Sequence, residues 1–145
     1  MRQGLVFAIP LVVVLGGIAV LHAYWALGGR WGSAFTVPTV SGRRMFDPTP
    51  AATWLVSGLL GMAVFLVMGK AGWIRTGPLG LWLDVGVWGL SLVFLLRAVG
   101  NLRSFGFFKT IKETPFARWD TWLYSPLCLL LAMLAAGLAR IPREP

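Results

Sequence analysis

Residues 4–27, GLVFAIPLVVVLGGIAVLHAYWAL, contain no Asp, Glu, Lys or Arg. At about 1.5 Å rise per residue, a helix of this length exceeds the ~30 Å hydrocarbon core of a bilayer. The polar positions that a soluble helix needs at 3.6-residue spacing are missing, so the run is read as a membrane span. Pro10 removes one backbone hydrogen bond within it and predicts a bend, which lipid-embedded helices tolerate when neighbours satisfy the freed carbonyl. The rival reading is a cleaved signal peptide, because Arg2 precedes the apolar stretch. Signal cores run about 7–15 residues and end in a small-residue cleavage site, and no Ala-x-Ala lies beyond this run. The expectation is therefore a retained helix.

Three further runs follow, at residues 51–69, 78–100 and 120–139. Lys70 closes the second at the interface. Thr76 and Pro78 mark the start of the third, since proline lacks the N–H that a first helical turn leaves unused. Residues 70–77 leave room only for a tight hairpin, making the second and third runs antiparallel neighbours. In the fourth run, a helix starting at Pro126 would span roughly 21 Å, too short to cross. Part of residues 120–125 must then be helical too. A continuous helix leaves the Trp122 carbonyl without its usual partner, which predicts a kink near the membrane surface.

The composition agrees: 57% of the 145 residues are hydrophobic and 12% charged, against roughly 25% charged in an ordinary soluble domain. The net charge of +8 resides in Lys and Arg at run ends and in loops, where anionic lipid head groups account for it, and no nucleic-acid-binding pattern is present. Membrane lipids are the expected partners, and nucleic acid is not. Cys128 is the one cysteine, which excludes an intrachain disulfide, a Cys-x-x-Cys redox pair and an all-cysteine metal site. There is no phosphate-binding glycine loop, Gly-x-Ser-x-Gly nucleophile or zinc-protease helix.

The expected architecture is all-α: a single membrane domain, residues 1–145, forming a compact four-transmembrane-helix bundle. Four crossings put both termini on one side and the connections 28–50 and 101–121 on the other. Small residues four apart, Ser57 with Gly61, Ala132 with Ala136 and Ala135 with Ala139, predict close backbone approach between helices. Arg30, Arg43, Arg44, Arg103, Lys109, Lys112 and Arg118 on the long-loop side nearly balance Arg2, Lys70, Arg75, Arg140 and Arg143 opposite. Orientation stays open, with a slight lean toward cytoplasmic long loops.

The unusual residues gather on the long-loop side. His22 is the one histidine, placed near the end of the first span. It is read either as a proton carrier or ligand hook, or as an interfacial side chain bonded to a loop carbonyl. Haem or zinc would need further histidines, so no cofactor or metal is expected. Arg97 lies one turn from the end of the third span; it either snorkels to the surface or pairs with Asp120, which has its own reading as a helix cap. Tyr24, Trp25, Trp31, Trp119, Trp122 and Tyr124 share this level, as an aromatic belt or a pocket wall. Residues 105–119 interleave aromatics with Lys109, Lys112 and Arg118, which suits a segment lying on anionic head groups. Asp84, inside the third span near the other face, is read as stabilised by the helix dipole and water, or as a transporter carboxylate. Gly28-Gly29 reads as a stop and turn.

Two blocks, His22-Ala23-Tyr24-Trp25-Ala26-Leu27-Gly28-Gly29 and Phe116 through Asp120-Thr121 to Tyr124-Ser125-Pro126-Leu127-Cys128, resemble a bacterial family of small four-helix membrane proteins classified as a domain of unknown function. The resemblance covers essentially the whole chain. It implies the four-span fold and a multi-pass location in a bacterial inner or plasma membrane, and it marks His22, Tyr24, Trp25, Asp120, Tyr124 and Pro126 as candidates without assigning roles.

Two functional readings compete. In the first, the ends of spans one, three and four enclose a polar pocket of His22, Tyr24, Trp25, Arg97, Asp120 and Tyr124 that binds a lipid-like or amphipathic small molecule. Were it catalytic, His22 would be the acid or base, Asp120 its orienting partner and Arg97 the anchor for an anionic head group. In the second, the chain is a noncatalytic accessory subunit docking another membrane protein, or a second copy of itself. A transporter using Asp84 is third. All three require the protein to stay in the membrane pellet through an alkaline carbonate wash; recovery as a monodisperse, detergent-free solute would overturn the four-span reading.

Overall fold

Threonine–proline pairs start two of the four membrane-length helices. Thr49 accepts a hydrogen bond from Ala52 N at 3.2 Å, with Pro50 in the first turn, and Thr114 accepts from Ala117 N at 3.1 Å, with Pro115 behind it. In both, the threonine satisfies an orphan donor and the proline spares one. The computed structural model of the protein describes residues 2–40 and 43–142; Arg143, one of the terminal cations, lies outside the described residues. Helix α1 is Arg2–Ala26, helical through Pro10, and α2 is Pro50–Lys70. A 3-10 turn at Gly77–Leu79 leads into α3, Gly80–Val99. The last rod consists of α4 (Pro115–Trp119), a π-helical turn (Asp120–Tyr124) and α5 (Ser125–Arg140). Four helices are thus long and apolar enough to cross a membrane. The loop after α1 adds a 3-10 turn, Ser33–Phe35, and a two-residue antiparallel pair, Val40 opposite Arg43 and Thr39 opposite Arg44.

The fold is an all-α four-helix bundle. Helices α1 and α2 pack together, as do α3 and α5, with α2 against α3 and α1 against α5 closing the ring. Ala8, Leu11, Leu15, Val67, Val87, Leu131, Ala135 and Leu138 are buried along its axis. Large apolar side chains also cover the outside, Trp122 being 84% exposed, as expected where acyl tails replace water as the surroundings. In that medium serine hydroxyls hold helices together as well as methyl groups do: Ser57 Oγ donates to Ala19 O at 2.9 Å, joining α2 to α1, and Ser91 Oγ donates to Ala132 O at 2.8 Å, joining α3 to α5.

Three expectations change. The fourth helix begins at Pro115, not Asp120, so Asp120 lies inside it and does not cap it. The disturbance at Pro126 takes the form of a π turn in which Ser125 N–H donates to Asp120 O, five residues back. The wider turn accommodates a proline ring that would crowd the carbonyl four residues earlier. At the opposite end of the bundle, Lys70 is buried, not interfacial. Its Nζ donates to Asp84 Oδ1 and to Ile141 O, both at 2.7 Å, tying α2 to α3 and to the end of α5. Asp84 therefore has a cationic partner as well as the helix dipole.

Beyond α3 the chain folds back so that Gly100 and Gly106 meet backbone to backbone, both at positive φ (86° and 91°). A Cβ on Gly106 would overlap Gly100 Cα and Val99 O. Gly106→Ala is expected to cost more than about 2 kcal/mol, combining left-handed strain with overlap. Gly58→Ala, in open space on α2, is expected to be neutral or slightly stabilising. Thermal unfolding of the two variants in detergent distinguishes them.

Candidate functional site

The π turn points the Asp120 carboxylate inward, where its side chain is 0% exposed. Oδ1 accepts from Arg97 Nη2 at 2.9 Å; Oδ2 accepts from Gly106 N at 2.7 Å and Lys109 Nζ at 3.0 Å. Lys109, its side chain 1% exposed, places its other donors on Gly106 O at 3.0 Å and Thr121 Oγ1 at 2.7 Å. Thr121 in turn donates to Ala117 O. Lys109 therefore faces inward, correcting the picture of residues 105–119 as a purely head-group segment. A buried ammonium with three acceptors is tolerable, whereas one without them is not.

The preceding loop is shaped to present Gly106. Asn101 Oδ1 accepts from the amides of Arg103, Ser104 and Phe105 at 3.1, 2.7 and 3.2 Å, and Leu102 takes a positive φ of 62°. Two cations then face one carboxylate. Arg97 lies over the Phe105 ring, its Cζ 4.7 Å from the centroid. Among the described residues, Arg97 Nη1 and Ser104 Oγ are enclosed without any hydrogen-bond partner. Leaving such atoms unmade costs about 1–3 kcal/mol each, more for a charged group. Ser125 Oγ, in the π turn, is likewise enclosed and unpartnered.

The first block builds a different wall. Gly28 at φ 96° ends α1, and Gly29 N–H donates to Tyr24 O at 3.0 Å. The Tyr24 ring covers Gly29 so closely that a Cβ there would overlap it. Trp25 Nε1 donates to Trp31 O at 2.8 Å, fastening the loop over the helix end. His22 Nδ1 lies 2.8 Å from Ile18 O. A carbonyl oxygen only accepts, so Nδ1 carries the proton and Nε2 is the nitrogen left over. The imidazole meets the Trp25 ring edge to face, centroids 5.1 Å apart.

The six candidate residues therefore divide. His22 and Trp25 line a cavity of about 520 Å3 with Thr36, Phe46, Thr53 and Val56 among its other walls; Asp47 also borders it. Arg97 lines a second cavity, of about 250 Å3, with Asn101, Ser104 and Phe105. Thr36 and Phe46 border both. Tyr24 packs on Gly29, and Tyr124 OH donates to Phe35 O at 3.3 Å, tying the first loop to the last helix. Asp120 is not the orienting partner of His22, because Arg97, Lys109 and Gly106 occupy its oxygens; it positions Arg97. The sequence reading missed the inward turn of Lys109, the contribution of α2 through Thr53 and Val56, and Ser104. Polar residues at the start of an apolar run carry no signal that separates a cavity wall from a cap. Among the described residues no cluster of three or more His, Cys, Asp or Glu is placed to hold a metal ion.

A four-helix bundle of membrane-crossing length, with two loop-capped cavities at one end, is the class this geometry defines. The chain belongs to the family described as Protein of unknown function (DUF3995), whose model matches residues 15–135 and so takes in both sequence blocks. No curated protein and no solved structure matches it.

Asp120→Asn removes the one anion from between two cations and is expected to destabilise by about 3–5 kcal/mol. Adding Lys109→Met to that variant is expected to recover part of the loss, since the unpaired buried ammonium goes with it. Thermal unfolding of the single and double variants checks both; an additive double mutant would show that the two groups are not coupled.

Proposed function

We propose that this protein is an integral protein of a bacterial cytoplasmic membrane, and that it binds an amphipathic small molecule in the paired cavities under its long loops. The observation that carries the reading is the pair of neighbouring chambers that share Thr36 and Phe46 as lining residues. The larger is walled chiefly by Trp25, Phe46 and Val56, and the smaller carries the Arg97 guanidinium. The larger chamber, about 520 Å3, has the size of a small-ligand site, since such sites measure about 300–1,000 Å3 and combine apolar walls with a few placed polar groups; the smaller, about 250 Å3, has room for part of a ligand. An apolar portion fits the larger chamber and a polar end the smaller. The bacterial setting comes from the family resemblance of the two sequence blocks, and the membrane setting from the four apolar helices.

The loops that roof the chambers are fastened at Trp25–Trp31 and Tyr124–Phe35, which supports a preformed site over one assembled by a partner. Native mass spectrometry of the full chain from mild detergent is expected to show a stoichiometric small-molecule adduct. Val56→Trp, which projects into the larger chamber, should reduce it about fivefold or more, in keeping with a steric clash in a filled pocket. An adduct insensitive to Val56→Trp overturns the reading. A stoichiometric protein partner with no small-molecule adduct favours the accessory-subunit reading in its place.

A further inference from the structure

Resting on the two-chamber reading, we infer that the smaller cavity is an anion site: it takes the carboxylate or phosphate oxygen of the ligand between Arg97 and Ser104. Three independent observations converge on it. The first is charge. Arg97 and Lys109 share the single carboxylate of Asp120, which leaves an excess of one positive charge at the inner end of the cavity. Lys109 has all three donors committed, so the excess is expressed at Arg97, whose side chain is 32% exposed.

The second is the hydrogen-bond inventory. Two residues of this one cavity wall, Arg97 and Ser104, each carry an enclosed polar atom without a partner, and Ser104 as a whole is 4% exposed. Buried polar atoms in native proteins find partners, and an exception asks for an ion or molecule that supplies one. Arg97 Nη1 can only donate, and the Ser104 hydroxyl is free to donate. Two unpartnered polar atoms on residues of one cavity wall, at a site of surplus positive charge, call for an anionic oxygen. A water would satisfy the hydrogen bonds and leave the charge.

The third is the contrast between the chambers. The larger one is bordered by Asp47, whereas none of the described residues lining the smaller one is acidic. An amphiphile with a negative head group is therefore oriented, head toward Arg97 and apolar portion past Thr36 and Phe46. Asp120 is a positioning residue in this arrangement. It fixes Nη2 and so holds the guanidinium in the cavity wall.

The test uses the full-length protein in phosphatidylcholine nanodiscs at mildly alkaline pH, with binding followed by thermal shift of the intrinsic tryptophan signal. Four probes are compared: laurate, dodecyl phosphate, dodecanol and inorganic phosphate. Laurate and dodecyl phosphate are expected to bind about tenfold more tightly than dodecanol, the gain of a hydrogen bond to a charged group. Ser104→Ala and Arg97→Lys should each erase most of that difference, bringing laurate and dodecyl phosphate down toward dodecanol. If Arg97→Lys fails to fold, Ser104→Ala decides alone, because its hydroxyl takes no part in the Asp120 cluster. Inorganic phosphate binding as tightly as dodecyl phosphate identifies a free anion as the source; weaker binding identifies a lipid-like head group, and either outcome upholds the site. Equal affinity for dodecanol overturns the anion site and leaves the chambers as an apolar binding site. An anion preference that survives Ser104→Ala also overturns it, placing the anion elsewhere. Failure of every probe to bind overturns the anion site and the two-chamber reading together.

Discussion

The arrangement of the long-loop end depends on one buried carboxylate. Asp120 joins three parts of the chain at one point: the last turn of α3 through Arg97, the returning loop through Gly106 and Lys109, and the fourth rod through its own backbone. A carboxylate removed from water must be met by charge and by donors, and three donors are supplied. The returning loop can reach it only because Gly100 and Gly106 lack side chains where their backbones cross. The π turn that directs Asp120 inward lies immediately before Pro126, so the residue that disrupts the regular helix also marks where the ionic cluster forms.

The same end of the bundle carries both sequence blocks, and each has a visible structural task. The first stops α1 at Gly28 and fastens the loop through Trp25; the second supplies Asp120, Thr121, Tyr124 and the π turn. Cavity-lining residues and fastening residues are therefore interleaved along the chain. His22 and Trp25 share a helix end, yet His22 borders a cavity while Trp25 both borders it and holds its roof. A change at Trp25 would alter both the cavity wall and the loop that it fastens, whereas Val56 and Ser104 line the cavities outside the fastening network.

The opposite end follows the same physical rule with different parts. Lys70 is buried and takes Asp84 and the carbonyl of Ile141 as partners, so α2, α3 and α5 are clasped by a charge in low dielectric, as α3, the loop and the fourth rod are by Asp120. That clasp gives Asp84 a structural role sufficient to account for an acid inside a span. Between the two ionic ends the helices meet through small side chains and the hydroxyls of Ser57 and Ser91, the means open to helices whose surroundings are as apolar as their interfaces.

The sequence by itself determined the number of membrane-length helices, the hairpin between α2 and α3, and the end of the bundle at which the unusual residues gather, because crossing lipid imposes length and apolarity on a helix. Pairing of Arg97 with Asp120 was one of two readings open to the sequence, the other being a snorkelling arginine, and the structure shows the pair. Only the tertiary structure decided that Lys109 turns inward, that Asp120 serves Arg97 and not His22, that the fourth helix reaches back to Pro115, and that α2 walls a cavity. Those outcomes turn on which donor lies nearest a buried acceptor and on where two glycine backbones cross. Hydrophobicity along the chain carries no record of either, because a loop lysine bound for the interior has the same composition around it as one bound for the head groups.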